Sequence, residues 1–193
     1  MSYQYDVFFS YKRDVESDWW HKTTMEKLRF WLKQELDQLD VPIFFDTEEI
    51  RTGLRWRNKI CDALVTSRAI VCVWSPLSFR SQWCVSEWQT FAERERNCGR
   101  DLIVPASYYD GSNFPPEAQD KQITDLSNYA SIAPRFWETE IAVDFDRKCL
   151  KRFAGDVASA VRRAPAFDPG FPLVEISKEQ LPSFPPIRRI ANA

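Results

Sequence analysis

One segment constrains this chain more than any other: Ala69 to Trp74, Ala-Ile-Val-Cys-Val-Trp, a run without a polar side chain. A strand that is apolar on both faces belongs inside a parallel sheet covered by helices on both sides, whereas a strand with one wet face alternates. The rest of the chain supplies the neighbours and the cover. Tyr5–Tyr11 is aromatic-rich, ends in a polar cluster, and reads as a strand running into a loop. From Trp20 to Leu39, Met25, Leu28, Leu32, Leu36 and Leu39 recur every three or four residues, the stripe of an amphipathic helix. Val41–Phe45 reads as a second strand, with Pro42 at its start, where a missing donor is tolerated. A charged loop, Asp46–Arg55, holds Gly53, and a helix is expected over Trp56–Thr66. After the apolar strand, Ser75-Pro76 ends the run, and Gln82–Asn97 reads as a helix, broken by Gly99. Leu102–Ala106 is a fourth strand, and Tyr108–Pro116 is a loop with Asp-Gly and Pro-Pro turn signals. Residues 117–139 are ambiguous, with a short fifth strand expected near Asp125–Ile132. A last helix spans Glu140–Arg163 and carries a basic face.

Strand and helix thus alternate with short connections, which predicts an α/β fold with a parallel sheet and helices on both faces. Right-handed crossovers make the flavodoxin-like strand order 2-1-3-4-5 the simplest arrangement. Ligands of such sheets bind beyond the carboxyl ends of the strands, where neighbouring connections depart in opposite directions. Here that crevice lies between Ser10–Asp14 after strand 1 and Ser75–Trp83 after strand 3, bordered by Asp46–Arg57.

Composition removes several classes. The net charge is −2 and the sequence pI about 5.6, against a general nucleic-acid binder. The five cysteines form no C-x-x-C pair, so neither a disulfide framework nor a zinc site is expected. The only histidine, His21, excludes a multi-histidine metal site and reads as a surface residue near a helix start. No signal peptide or membrane-spanning run is visible, which fits a cytoplasmic protein. Half of the twelve prolines fall in residues 164–193, so the chain divides into a domain over 1–163 and a Pro/Phe-containing extension. The extension's aromatic residues are expected to dock on the domain surface or on a partner.

Four segments at and around the crevice carry a resemblance. They are Tyr5–Asp14 (YDVFFSYKRD), Phe44–Ile60 (FFDTEEIRTGLRWRNKI), Ser67–Trp88 with its Ser-Gln-Trp-Cys-Val-Ser-Glu stretch, and Asp101–Tyr108 (DLIVPASY). In order and spacing they resemble the TIR (Toll/interleukin-1 receptor) domain: its box 1, its strand B and BB loop, its strand C with the W-C-x-x-E stretch, and its strand D. The match covers about residues 4–160.

The resemblance implies one of two functions. Some TIR domains are self-associating adaptor or receptor modules. Others cleave the nicotinamide–ribose bond of NAD+ and release ADP-ribose or a cyclic isomer, and in these the glutamate of the W-C-x-x-E stretch is essential. That position here is Glu87. The chemistry suits a lone carboxylate. The transition state is an oxocarbenium-like sugar, which a nearby carboxylate stabilises. Nicotinamide departs from a pyridinium as a neutral molecule, so no general acid, histidine or cofactor is required, NAD+ being the substrate. Burial should raise the pKa of Glu87, though its working form is the anion. Trp83 lies four residues earlier on the same helix face and sets an indole beside the carboxylate. By the resemblance, Phe8, Ser10, Lys12 and Arg13 line the nucleotide pocket, with Lys12 or Arg13 meeting the diphosphate. Trp56 supplies a second aromatic wall. Asp46 caps or orients the loop, and Gly53 gives it conformational freedom. No G-x-G-x-x-G follows strand 1, which disfavours Rossmann-type dinucleotide binding.

The expected function is therefore an NAD+ glycohydrolase or cyclase of prokaryotic antiviral immunity. It would act through homotypic TIR–TIR association and signal to a separate effector that senses its nucleotide product. The alternatives are a non-catalytic TIR interaction module or adaptor mimic, and a sensor that binds a nucleotide without cleaving it.

Overall fold

The computed structural model describes residues 2–46 and 54–182. Among the described residues, five parallel strands form one sheet, in the order β2-β1-β3-β4-β5. They are β1 (Tyr5–Tyr11), β2 (Ile43–Phe44), β3 (Ser67–Trp74), β4 (Ile103–Ser107) and β5 (Thr124–Asp125). The apolar β3 lies at the centre, paired with β1 on one side and β4 on the other, as its two-sided hydrophobicity requires.

The pleat of β1 sorts the core into two layers. Val7 and Phe9 point to one face, where they meet Val71 and Val73 beneath α1 (Asp18–Leu36) and α6 (Lys151–Arg163). Phe8 points to the other, where it meets Phe44, Ile70, Cys72 and Trp74 beneath α2 (Leu54–Thr66) and α3 (Gln82–Cys98). The same parity carries Ser10, two residues after Phe8, to the α3 side.

Several expectations change in detail. The first helix stops at Leu36 because Asp37 turns left-handed (φ 53°), its N–H closing on the carbonyl of Lys33. Asp tolerates that conformation better than most residues. Leu39 is therefore beyond the helix and 99% exposed, not part of the apolar stripe. The second strand pairs only over Ile43–Phe44. The ambiguous stretch resolves into α4 (Pro116–Gln119), the two residues of β5 and isolated 3₁₀ turns. The last helix is broken: α5 (Glu140–Asp144) passes into a π-helical turn, Phe145–Leu150, before α6. Its arginines and lysines face solvent.

His21 is not a surface residue. It is 3% exposed, packed against Tyr11 and Tyr108 with ring centroids 4.6 and 5.0 Å away. Burial drives its pKa down to about 3, so the imidazole is neutral, and its Nδ1 has no hydrogen-bond partner among the described residues. The sequence disguises this because His21 is polar, yet it lies one turn before Thr24 and Met25 on the buried face of α1.

Candidate functional site

At the carboxyl ends of β1 and β2 the α2–α3 face opens into a cleft of about 450 Å³. Each described residue expected at the site lines it: Phe8, Ser10, Lys12, Arg13, Asp46, Trp56, Trp83 and Glu87. Gly53 lies outside the described residues. The cleft exists because β1 presents a small Ser10 toward α3 where a bulkier side chain would fill the space.

Glu87 forms its floor. Ser81 caps α3, its Oγ accepting from the N–H of Cys84. The helix then delivers Trp83 and Glu87 to one face, four residues apart. The carboxyl is 7% exposed and accepts a hydrogen bond from Ser10 Oγ at 2.5 Å. Burial raises its pKa to about 8, against the lowering effect of the Ser10 bond and with a smaller raising effect from the negative Asp46. The rise is in the direction expected from burial, and it favours the protonated carboxyl as long as no cation lies beside it. A cation brought beside it reverses the balance, because opposite charge favours the anion.

Asp46 organises the opposite wall. Its Oδ2 accepts from Trp56 Nε1 at 2.8 Å and lies 3.8 Å from Arg13 Nη2. Its carbonyl accepts from the guanidinium of Arg13 and from the hydroxyl of Tyr11 at 3.3 Å. Arg13 is thus a latch between the loop after β1 and the end of β2. Trp56 meets Trp83 edge-to-face, with centroids 4.8 Å apart. Trp83 is 39% exposed, so much of its ring remains open to a ligand. Phe8 stacks on Phe44 beneath the cleft at 4.9 Å and supports the floor.

Sequence reasoning did not single out Tyr11, Arg57 and Ser81, which fall in the segments expected at the crevice, and missed Phe44, Ile60 and Cys84 as lining residues. The helical period would have found Ile60, one turn after Trp56. The Cys84 thiol is pushed up to about 12, first by burial and then by the negative charge of Glu87, and its Sγ lies 3.6 Å from the carbonyl of Tyr11. It is poorly suited to act as a nucleophile. Among the described residues no cluster of three or more His, Cys, Asp or Glu side chains is placed to hold a metal ion.

The family model for the TIR domain matches residues 7–137, the segment that holds the sheet and the cleft. This chain belongs to the TIR domain family. Among solved structures it is similar to the TIR domain of the Toll-related receptor TRR-2 from Hydra magnipapillata. That match has 21% identity and a TM-score of 0.48, and covers 75% of this chain and all of that one. It is also similar to a TIR-STING receptor from C. gigas, in complex with 2′,3′-cGAMP (17%, TM-score 0.49), over 81% of this chain and 40% of the receptor. A third similarity is to the TIR domains of the activated Roq1 resistosome (21%, TM-score 0.38), over 83% of this chain and 86% of that one. The chain matches no curated protein. TIR domains generally self-associate. Among the described residues, no helix of this TIR domain is long and apolar enough to cross a membrane.

Proposed function

We propose that this TIR domain cleaves the nicotinamide–ribose bond of NAD+, releasing nicotinamide together with ADP-ribose or a cyclic isomer. The observation that carries this reading is the placement of Glu87: a carboxyl buried on the floor of a cleft large enough for a dinucleotide, bonded to Ser10 and flanked by Trp83. The nicotinamide ring carries a positive charge in the substrate, so its arrival lowers the pKa of Glu87 and leaves the anion in place. As the bond breaks, the positive charge moves to the ribose, which the same carboxylate stabilises at short range in a water-poor site. Trp56 and Trp83 supply ring faces and edges for the aromatic parts of the substrate. Lys12 and Arg13, at the carboxyl end of β1, place positive charge where a diphosphate would lie. Association of TIR domains is part of the proposal, as is a diffusible product read by a separate effector in a prokaryotic antiviral response. Both rest on the family resemblance.

The test is direct. NAD+ is incubated with concentrated protein, with and without a crowding agent, and nicotinamide is followed by chromatography. Wild type is expected to release it and Glu87→Gln is not. No release by wild type under any assembling condition overturns the reading and leaves an interaction module. Mass spectrometry of the nucleotide product separates the linear from the cyclic outcome.

A further inference from the structure

The segment that follows α6 builds a second chamber beside the cleft. After Arg163 the chain returns across the domain. Tyr3 donates from its hydroxyl to the carbonyl of Pro165 at 3.0 Å, and Phe167 and Phe171 pack on the Tyr3 ring. Phe171 also covers the guanidinium of Arg94, 4.1 Å from its ring centroid. Arg94 in turn donates to the carbonyls of Leu64, near the end of α2, and Ser67, at the start of β3. From there the segment runs extended along α3. The N–H of Val174 donates to Thr90 Oγ1 at 2.9 Å, the N–H of Ile176 to Ser86 Oγ at 3.0 Å, and Gln82 Nε2 to the carbonyl of Ile176 at 3.1 Å. The register has a simple cause. Two extended residues span about 6.6 Å, close to the roughly 6 Å rise of four helical residues, so Val174 and Ile176 meet successive members of the stripe Gln82, Ser86, Thr90. Glu175 points the other way and pairs with Arg57 on α2. The segment therefore ties α2 to α3.

Between this segment and the two helices lies a chamber of about 160 Å³, walled by Ile60, Leu64, Leu173 and Val174 among others. It shares Arg57, Ile60, Trp83 and Glu87 with the main cleft. Ligand pockets for drug-sized molecules run to about 300–1,000 Å³, so this one has room for a single ring. Arg57 pairs with Glu175, and the one other charged side chain of the wall, Glu87, is the carboxylate that also borders the main cleft. The polar groups of Gln82, Ser86 and Thr90 are engaged by the segment's backbone.

We propose that the chamber walled by residues 173–176 receives the uncharged heteroaromatic ring set free when the glycosidic bond breaks. This rests on the NAD+-cleaving reading for the identity of the ring. In the substrate the ring nitrogen is a cation. When the C–N bond breaks, its electron pair goes to that nitrogen, the ring becomes neutral, and the positive charge passes to the ribosyl carbon. A water molecule then adds to that carbon and loses a proton, or an adenine nitrogen adds in its place. Away from Glu87 the walls are the apolar side chains of Ile60, Leu64, Leu173 and Val174, which hold the neutral ring better than the cation. Its binding energy therefore develops as the ring loses charge, which favours bond breaking over substrate binding.

Cys61 lines the chamber, and Cys149 lies on the other face of the sheet. At pH 6.5, alkylation of each by iodoacetamide is followed on the full chain by peptide mass spectrometry. Nicotinamide is the neutral probe and N1-methylnicotinamide the cationic one. Nicotinamide is expected to slow alkylation of Cys61 several-fold and to leave Cys149 unchanged, and the cation is expected to protect neither. Leu173 is 44% exposed and can be enlarged from the solvent side, so Leu173→Trp fills the chamber. It is expected to raise the nicotinamide dissociation constant about tenfold, with the Cys149 rate as the check that the fold is intact. Equal alkylation of Cys61 with and without nicotinamide, equal protection by the cation, or unchanged affinity in Leu173→Trp overturns the chamber. Protection of Cys61 in a protein that releases no nicotinamide from NAD+ leaves the neutral-ring site standing and sinks the cleavage reading. Cleavage of NAD+ without protection sinks the chamber alone.

Discussion

The two faces of the sheet start from the same alternating strands and end differently. Beneath α1 and α6 the layer is filled, with Leu28, Leu32, Phe145, Phe153 and Val157 fully or almost fully buried. Beneath α2 and α3 the layer is filled under the middle of the sheet by Phe44, Ile70, Trp74 and Phe91, and opens where β1 ends in Ser10. Each face buries a titratable group in its uncharged form: His21 on the first, Glu87 on the second. Burial is the main cause in both, with the negative Asp46 adding to it at Glu87. The difference is that Glu87 has a hydrogen-bond partner and borders a cleft where a cation can arrive, so its charge state can be switched by a ligand.

The strongest way to break this comparison is to exchange the consequences of the two faces. Glu87→Gln is expected to lower nicotinamide release by ~10³-fold, about 4 kcal/mol in the barrier, with an unchanged denaturation midpoint below pH 4.5, where Glu87 is protonated in folded and unfolded chain alike. Phe153→Ala on the filled face is expected to cost ~3–5 kcal/mol of stability, read in a denaturant titration, with release per folded molecule unchanged. If either variant moves both quantities, the faces do not divide labour as described.

The two buried groups also predict opposite pH slopes. The folded pKa of His21, about 3, lies below its ordinary value of 6.5, so its contribution is complete above pH 6.5 and is lost as pH falls through 3. The folded pKa of Glu87, about 8, lies above its ordinary 4.5, so its contribution is complete below 4.5 and is lost as pH rises through 8. Between pH 4.5 and 6.5 the two slopes oppose each other. Glu87→Gln is expected to outlast wild type at pH 9 by on the order of 3 kcal/mol, and His21→Phe to flatten the acid limb. Urea titrations across pH measure both, and parallel limbs in wild type and Glu87→Gln would refute the burial argument.

In the proposed reaction, kcat/KM is expected to rise with pH to an inflection near 8, since it reports the free enzyme and the proposal makes the anion the working form. The Ser10 bond holds the pKa down, so Ser10→Ala is expected to move the inflection to higher pH. The smallest effect is expected at the rim: Trp83→Ala should lower kcat/KM by about tenfold, mainly through KM.

Much of this was readable before folding. The two-sided apolar strand and the strand–helix alternation gave the sheet and its order, and strand parity set Ser10 on the same side as Phe8. The positions of Trp83 and Glu87 followed from the helical period. What was not readable lacks a period or depends on distance. The turns of residues 117–139 and the π-helical turn at Phe145–Leu150 carry no repeating pattern, and the early end of α1 rests on one left-handed Asp37. His21 reads as exposed because it is polar, yet Tyr11 and Tyr108, from two other segments, enclose it together with its neighbour Trp20.

The sequence by itself determined the architecture, because hydrophobic periodicity and chain connectivity are local properties that tertiary contacts only ratify. It also determined which carboxylate stands at the crevice. The tertiary structure decided the state of that carboxylate, because a pKa is set by desolvation and by partners such as Ser10, distant in sequence. It decided that Arg13 holds Asp46, and that the segment after α6 lies along α3 and walls a second chamber. Those outcomes depend on which side chains meet across the fold, and no local pattern in the chain encodes that.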